Sequence, residues 1–128
     1  MTQRTAAISE TGAMTTAAQE LLLCPVARTA EIVSGKWTLL IIRDLTTGTK
    51  RFSELERSLV GISPKTLSER LTALEREGVL QRRTYAEVPP KVEYSLTDYG
   101  RTLRPLTDLM CAWGQRHMRR VASRAGSR

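Results

Sequence analysis

The order of apolar and polar positions along the chain predicts a mainly helical protein. Apolar residues cover nearly the whole circumference of a helix over residues 36–47, so this segment is predicted to be the central core helix. A shorter helix is predicted before it, beginning at Pro25 and stopping at Ser34. Residues 1–20 are rich in Thr and Ala and carry few large apolar side chains. We expect them to form a flexible arm, because they cannot bury enough surface to become ordered.

Two short helices separated by a glycine turn are predicted in the middle of the chain. Ser53 and Glu56 have the spacing of a capping box, in which each side chain satisfies a free backbone N–H at a helix start. Leu55 and Leu59 are expected to point inward, and Gly61 ends this helix. The chain then turns into a second helix.

The second helix is predicted to begin with Ser63 as N-cap and Pro64 as its first residue, and to end at Gly78. A short helix, a glycine turn and a capped second helix form the helix-turn-helix pattern. Three leucines at helical spacing are expected to face the core: Leu67, Leu71 and Leu74. The side chains left to point outward are Ser63, Lys65, Thr66, Glu69, Arg70 and Ala73.

This outward face is basic and rich in hydroxyl groups, which favours DNA as its partner. Lys65 and Arg70 are long enough to reach acceptors on guanine edges, and a helix N-terminus offers backbone N–H groups to phosphates. The alternative is an amphipathic helix whose solvated face happens to be basic. The predicted DNA-contacting residues of this helix are Ser63, Lys65, Thr66 and Arg70.

A β-hairpin is predicted directly after the second helix. Residues 79–85 and 91–96 are predicted to be two short strands, and in the second of them apolar and polar residues alternate as in a half-buried strand. Pro89 and Pro90 between them require a loop, because neither can donate to a strand pairing. A hairpin in this position is a wing, so the predicted fold class is mainly α with a small β-hairpin: a winged helix-turn-helix. Glu87 at the tip is unfavourable for DNA, so we rank contacts of the tip below those of the helix. The predicted DNA-contacting residues of the wing are Arg82, Arg83 and Lys91.

The last predicted helix carries an apolar stripe. Thr97 is its N-cap, and Asp98 stands in the first turn, where a negative charge is favourable. The stripe comprises Leu103, Leu106, Leu109, Met110 and Trp113. It either packs on its own chain or binds a second copy. We favour a symmetric dimer on a palindromic operator, because one helix-turn-helix reads only about 4 base pairs.

The net charge of +7 points to a polyanionic partner. Much of it lies in residues 116–128, which hold five arginines and no acid. A solvated tail without a partner is the plainer explanation of that run. The predicted organisation is a flexible arm at 1–20, one winged helix-turn-helix domain at 21–117 and a basic tail at 118–128.

Other kinds of chemistry find little support in the sequence. His117 is the single histidine, and no base, nucleophile or metal-ligand set accompanies it. The two cysteines do not have zinc-binding spacing, no apolar run approaches the roughly 18 residues that span a bilayer, and no signal peptide is recognisable. We therefore expect a cytoplasmic protein that is not an enzyme, with no metal, cofactor or membrane partner.

Several motifs in one order resemble a known family. They include Cys24-Pro25, Trp37-Thr38-Leu39, the segments at 51–55 and 62–71, the segment at 89–97 and the span from Gly100 to Trp113. Over about residues 22–117 the chain resembles the HxlR-type bacterial transcriptional regulators. The resemblance implies a homodimeric winged helix that represses or activates by binding operator DNA. It also implies pairing through the first and last helices, with Leu22, Leu23, Leu106, Leu109, Met110 and Trp113 at the interface.

Cys24 is a candidate sensor. Pro25 at the first helical position makes Cys24 an N-cap, near free N–H groups and one turn from Arg28, and these features favour the thiolate. The resemblance implies that a cysteine in this Cys-Pro position can respond to oxidants or electrophiles, with Cys111 as a candidate second cysteine in a bridge between subunits. The alternative is a small buried cysteine without a sensing role, and the inducer itself is not identified.

Two other functions fit the same sequence. The domain could be a winged helix used for protein interaction, which would bind DNA weakly and with little dependence on salt, whereas phosphate contacts predict a steep dependence. It could instead be a nonspecific architectural DNA binder driven by the arginine tail. Deleting residues 118–128 would then abolish binding, and DNA of any sequence would compete equally well.

Overall fold

The computed structural model describes residues 16–126, which divide into two compact units, the first ending at Ser34 and the second beginning at Gly35. The elements are α1 (Thr16–Leu23), α2 (Pro25–Val33), α3 (Lys36–Leu45), β1 (Lys50–Arg51), α4 (Phe52–Ser58), α5 (Pro64–Arg76), β2 (Leu80–Tyr85), β3 (Lys91–Leu96), α6 (Asp98–Arg101) and α7 (Arg104–Gly126).

The first unit contains α1 and α2, which contact each other. The flexible arm expected at 1–20 lies outside the described residues as far as residue 15, but residues 16–20 belong to α1. The predicted boundary was therefore placed too far along the chain. The reason is the high intrinsic helix propensity of Ala17, Ala18, Gln19 and Glu20, which favours a helix here despite the few large apolar side chains.

The second unit is built around α3. Ile41 and Ile42 on this helix are completely buried, and α3 contacts α4, α5, α7 and β3. The prediction of a central core helix is confirmed, since a helix that is apolar on most of its circumference has to be surrounded by other elements.

The start of α4 differs from the prediction. Arg51, not Ser53, precedes the helix, and the Arg51 backbone N–H donates to the Glu54 carboxylate at 2.9 Å. The expected cap between Ser53 and Glu56 is wrong by two positions. Arg51 is held extended because it pairs with β3 as the end of β1, so the helix begins immediately after it.

The three strands form one antiparallel sheet in the order β1-β3-β2. The hairpin of β2 and β3 matches the prediction, with Leu80 opposite Leu96 and Tyr85 opposite Lys91. The third strand, β1, was not predicted from the sequence. Its two residues carry no periodic pattern that a sequence could reveal, and pairing with β3 is what makes them a strand.

The last helix is broken where the sequence suggested a continuous one. α6 ends at Arg101, and α7 begins at Arg104. Pro105 supplies the reason, because its ring would clash with the carbonyl of Arg101 four residues earlier in an unbroken helix. α7 then continues to Gly126, so the segment predicted as a basic tail is helical as far as the structure describes it.

No helix within residues 16–126 is long and apolar enough to cross a bilayer. The same part of the chain brings together no group of three or more His, Cys, Asp or Glu side chains that could hold a metal ion.

A close contact ties the start of α6 to the end of the helix-turn-helix. The Thr97 hydroxyl accepts a hydrogen bond from the Gly100 N–H at 2.9 Å, as predicted for an N-cap, and also contacts the Gly78 carbonyl. Gly100 is buried so tightly that an added Cβ would lie 1.9 Å from the Val79 carbonyl oxygen. Only glycine fits there.

We expect Gly100→Ala to lower the free energy of unfolding by about 3 kcal/mol or more, because the methyl group must displace backbone. Chemical denaturation followed by circular dichroism measures the change. Gly126→Ala is the matched control, since nothing lies within 4 Å of a Cβ there, and we expect it to change stability by less than about 0.5 kcal/mol. Equal stability of the two variants would contradict the packing described here.

Candidate nucleic-acid interface

The orientation of α5 is fixed by its leucines. Leu67, Leu71 and Leu74 are at most 1% exposed, as predicted, and the helix contacts α3 and β2. Lys65 and Arg70 are exposed, and neither forms an ion pair within residues 16–126. A helix anchored on one side presents the opposite side to solvent, so both cations are available to an external partner.

The N-terminus of α5 is closed by two hydroxyl groups. The Ser63 hydroxyl accepts from the Thr66 backbone N–H at 3.1 Å and donates to the Thr66 hydroxyl oxygen at 2.9 Å. Ser63 thereby performs the predicted capping. Ser63 is exposed and Thr66 half-buried, so both hydroxyl groups lie at the solvent-facing start of α5.

Lys65 and Arg70 do not lie in one line. An α-helix turns about 100° per residue, so two side chains five positions apart are separated by about 140° around the axis. The exposed Glu69 lies between them. By the same geometry the three buried leucines are centred about 150° from Lys65 and about 70° from Arg70, so Lys65 lies near the middle of the outward face and Arg70 at its edge.

Other exposed residues of this face were not singled out from the sequence. Ser68, Thr72 and Arg76 are all exposed on α5. Arg76 comes four residues after Thr72, seven after Glu69 and eleven after Lys65. At these spacings the side chains lie along one stripe of the helix. Helical periodicity counted from the three leucines over the whole length of α5 identifies these positions as outward-facing.

The glycine turn of the motif is confirmed at Gly61, which has φ of 97°. This left-handed conformation favours glycine and redirects the chain between α4 and α5. A Cβ on Gly61 would lie 4.0 Å from Cη2 of Trp37 on α3, so the turn rests against the core helix.

The wing cations lie on different faces of the sheet. Arg82 is opposite Tyr94, which is buried, whereas Arg83 is opposite Glu93 in the next position. Because neighbouring residues of a strand point to opposite faces, Arg82 shares the core side and Arg83 the outer side. Both remain exposed. The structure does not unite Arg82, Arg83 and Lys91 in a single patch.

Lys91 interacts with neighbouring residues of the sheet. Its ammonium nitrogen lies 5.0 Å from the centre of the Tyr85 ring and 3.9 Å from a Glu93 carboxylate oxygen. The Arg83 guanidinium also lies 5.0 Å from that ring. A hydrogen bond from the tyrosine hydroxyl to the Glu93 carboxylate raises the pKa of Tyr85 above its ordinary value of 10.0. Lys91 and Glu93 thus brace the wing, and Arg83 is its exposed cation on the outer side.

The wing tip carries an exposed apolar residue that was not predicted from the sequence. Val88 is 100% exposed in the loop between β2 and β3, beside Glu87. No periodic pattern distinguishes a single valine in such a loop.

Cys24 occupies the predicted N-cap position of α2 and is half-buried. Its carbonyl accepts from the Arg28 N–H at 2.9 Å, but its side chain makes no capping hydrogen bond. Arg28 forms an ion pair with Glu31 at 2.8 Å, so the Glu31 carboxylate offsets part of the positive charge that was expected near the Cys24 sulfur. Cys111, on α7, is exposed.

The predicted apolar stripe is exposed along α7. Leu109 is 69% and Trp113 60% exposed, Met110 is also largely open to solvent, and Leu106 is half-buried. The stripe extends past Trp113, since Trp113 stacks on His117 with ring centres 5.2 Å apart and Val121 follows four residues later. On α1, Leu23 is exposed, whereas the side chain of Leu22 lies outside the described part of the structure.

Comparisons with known proteins agree with this architecture. A family model described as HxlR-like helix-turn-helix matches residues 32–122. An uncharacterized HTH-type transcriptional regulator, YtcD of Bacillus subtilis strain 168, is 48% identical over 96 residues, which cover 75% of this chain and 76% of that protein.

Two solved structures are similar as well. The redox regulator HypR in its oxidized form has a TM-score of 0.70 and 42% identity, covering 72% of this chain and 95% of its own. The reduced form of the transcriptional regulator YodB from B. subtilis has a TM-score of 0.62 and 38% identity, covering 70% of this chain and 89% of its own.

Proposed function

The chain belongs to the HxlR-like helix-turn-helix family and is a transcriptional regulator, and from this premise we propose that it acts as a homodimer on palindromic operator DNA. The observation that carries the proposal is the exposed, cationic outward face of α5, opposite three buried leucines. A helix held in this way can enter a major groove without disturbing the core that supports it.

The residues divide by the kind of contact they can make. Lys65 and Arg70 read base edges, because their side chains are long and make no internal ion pair among the described residues. Thr66 donates its hydroxyl proton to a phosphate at the N-terminus of α5, while Ser63 maintains the cap. Arg82 and Arg83 contact the backbone beside the groove from the two faces of the wing. Lys91 supports the wing and contributes little direct binding.

Dimerisation uses the apolar stripe of α7, together with α1. An exposed row of Leu109, Met110 and Trp113 on one helix is costly in water and is typical of a surface that a partner covers. A two-fold dimer also places two recognition helices about one DNA turn apart, roughly 34 Å, which matches a palindromic site.

Redox control through Cys24 is the finer part of the proposal. It is supported by the cysteine's position at the N-terminus of α2 and by the similarity to HypR, a redox regulator. Oxidation joins two thiols as a disulfide, and the two protons and two electrons pass to the oxidant. Cys111, being exposed, is the candidate partner from the other subunit.

Lys65→Ala and Arg70→Ala should each weaken binding to the DNA upstream of the protein's own gene by about 1–3 kcal/mol, the usual cost of one lost base contact. Gel shift or fluorescence anisotropy measures the loss, and thermal denaturation checks that both variants stay folded. Arg101→Ala is the control, because Arg101 is paired with Asp98 on α6 and should bind as the wild type does. Unchanged affinity of both α5 variants would remove this helix from the interface.

Replacing Leu109 and Trp113 together by Ser should convert the dimer to a monomer, because two large apolar contacts are lost from its centre. Sedimentation equilibrium gives the mass directly. Gln115→Ala, an exposed change elsewhere on α7, should leave the dimer intact. A double variant that stays dimeric would show that another surface joins the subunits.

An oxidant such as hydrogen peroxide should change the DNA affinity of the wild type by roughly tenfold, and a reducing agent should reverse it. Cys24→Ser should abolish this response while binding DNA normally without oxidant. Cys111→Ser tests the bridge, since a covalent dimer on a non-reducing gel should need both cysteines. Identical behaviour of the wild type and Cys24→Ser would point to a different trigger.

A further inference from the structure

A polar recess lies between the end of α3, β1 and α4. Its volume is about 570 Å³, and its lining includes Arg43, Asp44, Lys50, Glu54, Arg57 and Ser58. We call it the α3–α4 recess. It contains three cations and two carboxylates, and none of the DNA contacts predicted above uses any of them.

The carboxylates of this recess are already bonded within the protein. Asp44, whose side chain is only 10% exposed, accepts from the Arg43 guanidinium at 2.9 and 3.2 Å and from the Ser58 hydroxyl. Glu54 accepts the Arg51 backbone N–H at 2.9 Å as the cap of α4. Each acid therefore has a structural role that holds it in place.

Two of the cations have no such role. Lys50 and Arg57 make no ion pair among residues 16–126, although both line the same recess as the two carboxylates. Arg43 is held by Asp44, so the charge that remains available to a ligand comes from Lys50 and Arg57. The paired acids also restrain the walls that carry these cations, because Asp44 bonds to Ser58 across α3 and α4.

We propose that the α3–α4 recess binds a phosphate group between Lys50 and Arg57. Two cations without an ion pair in the described part of the chain, on walls fixed by hydrogen bonds, favour a compact anion, and Arg and Lys are the side chains that recognise phosphate. The phosphate has two possible sources. One is the DNA backbone, which the first helix of a helix-turn-helix crosses, and this source rests on the proposed function. The other is a free phosphate-bearing ligand, which the volume of the recess admits.

The test compares two variants that remove the same charge. Lys50→Gln with Arg57→Gln empties the recess of its available cations. Arg101→Gln with Arg104→Gln is the control, because these residues are paired with Asp98 and Asp108 and lie outside the recess. Circular dichroism establishes that both double variants keep the wild-type fold.

The first arm measures the salt dependence of DNA binding. If the recess holds a backbone phosphate, the slope of log K against log salt should become shallower by about 0.9 for each lost contact in the recess variant. The control should keep the wild-type slope. A shallower slope in the recess variant alone supports the proposal with DNA as the source.

The second arm uses inorganic phosphate without DNA, at constant ionic strength set with chloride. Saturable stabilisation of the wild type and the control against heat, absent from the recess variant, supports the proposal with a free ligand as the source. If neither arm separates the recess variant from the control, the proposal is overturned. If the wild type binds no DNA at all, the proposed function fails, and the phosphate arm alone decides on the recess.

Discussion

Burial of one face of α5 is the interaction on which the DNA-binding surface depends. Leu67, Leu71 and Leu74 lie against the rest of the second unit, and each fully buried leucine contributes roughly 1.5–3 kcal/mol. The net stability of a domain is only about 5–15 kcal/mol, so the loss of even one of these contributions would be a large change. Since these three side chains fix the rotation of the helix, they also decide that Lys65 and Arg70 face outward. Stability and recognition are therefore set by opposite sides of one helix.

In the wing, charged residues contribute both to stability and to the cationic surface that is available to DNA. Tyr85, Lys91 and Glu93 contact one another on the outer face and give the hairpin a defined shape. Arg83 rests beside the same tyrosine ring yet stays exposed. A cation in a wing is thus not automatically a DNA contact. Its neighbours across the strands decide whether it holds the hairpin or reaches beyond it.

Most of the fold could be predicted from the sequence because its signals are local. Ser63 and Pro64 begin α5, Gly61 turns the chain before it, and Thr97 caps α6, each through its own side chain or backbone preference. The errors came where a distant partner decides. Arg51 caps α4 because β3 holds it extended, and no spacing within residues 47–56 carries that information.

The sequence by itself determined the helix-turn-helix, the wing and the apolar stripe of the last helix, since hydrophobic periodicity and capping residues act within a few positions of each other. That the stripe is exposed was shown only by the tertiary structure. The sequence could not determine which cationic side chains are available to bind an external anion. Nothing in the sequence distinguishes Lys65, Lys91 and Lys50 from one another. In the structure Lys91 contacts Tyr85 and Glu93, whereas the other two make no ion pair among the described residues. Only the tertiary structure decided this, because the charge of a lysine is offset by groups that folding brings within a few ångströms, whatever their distance along the chain.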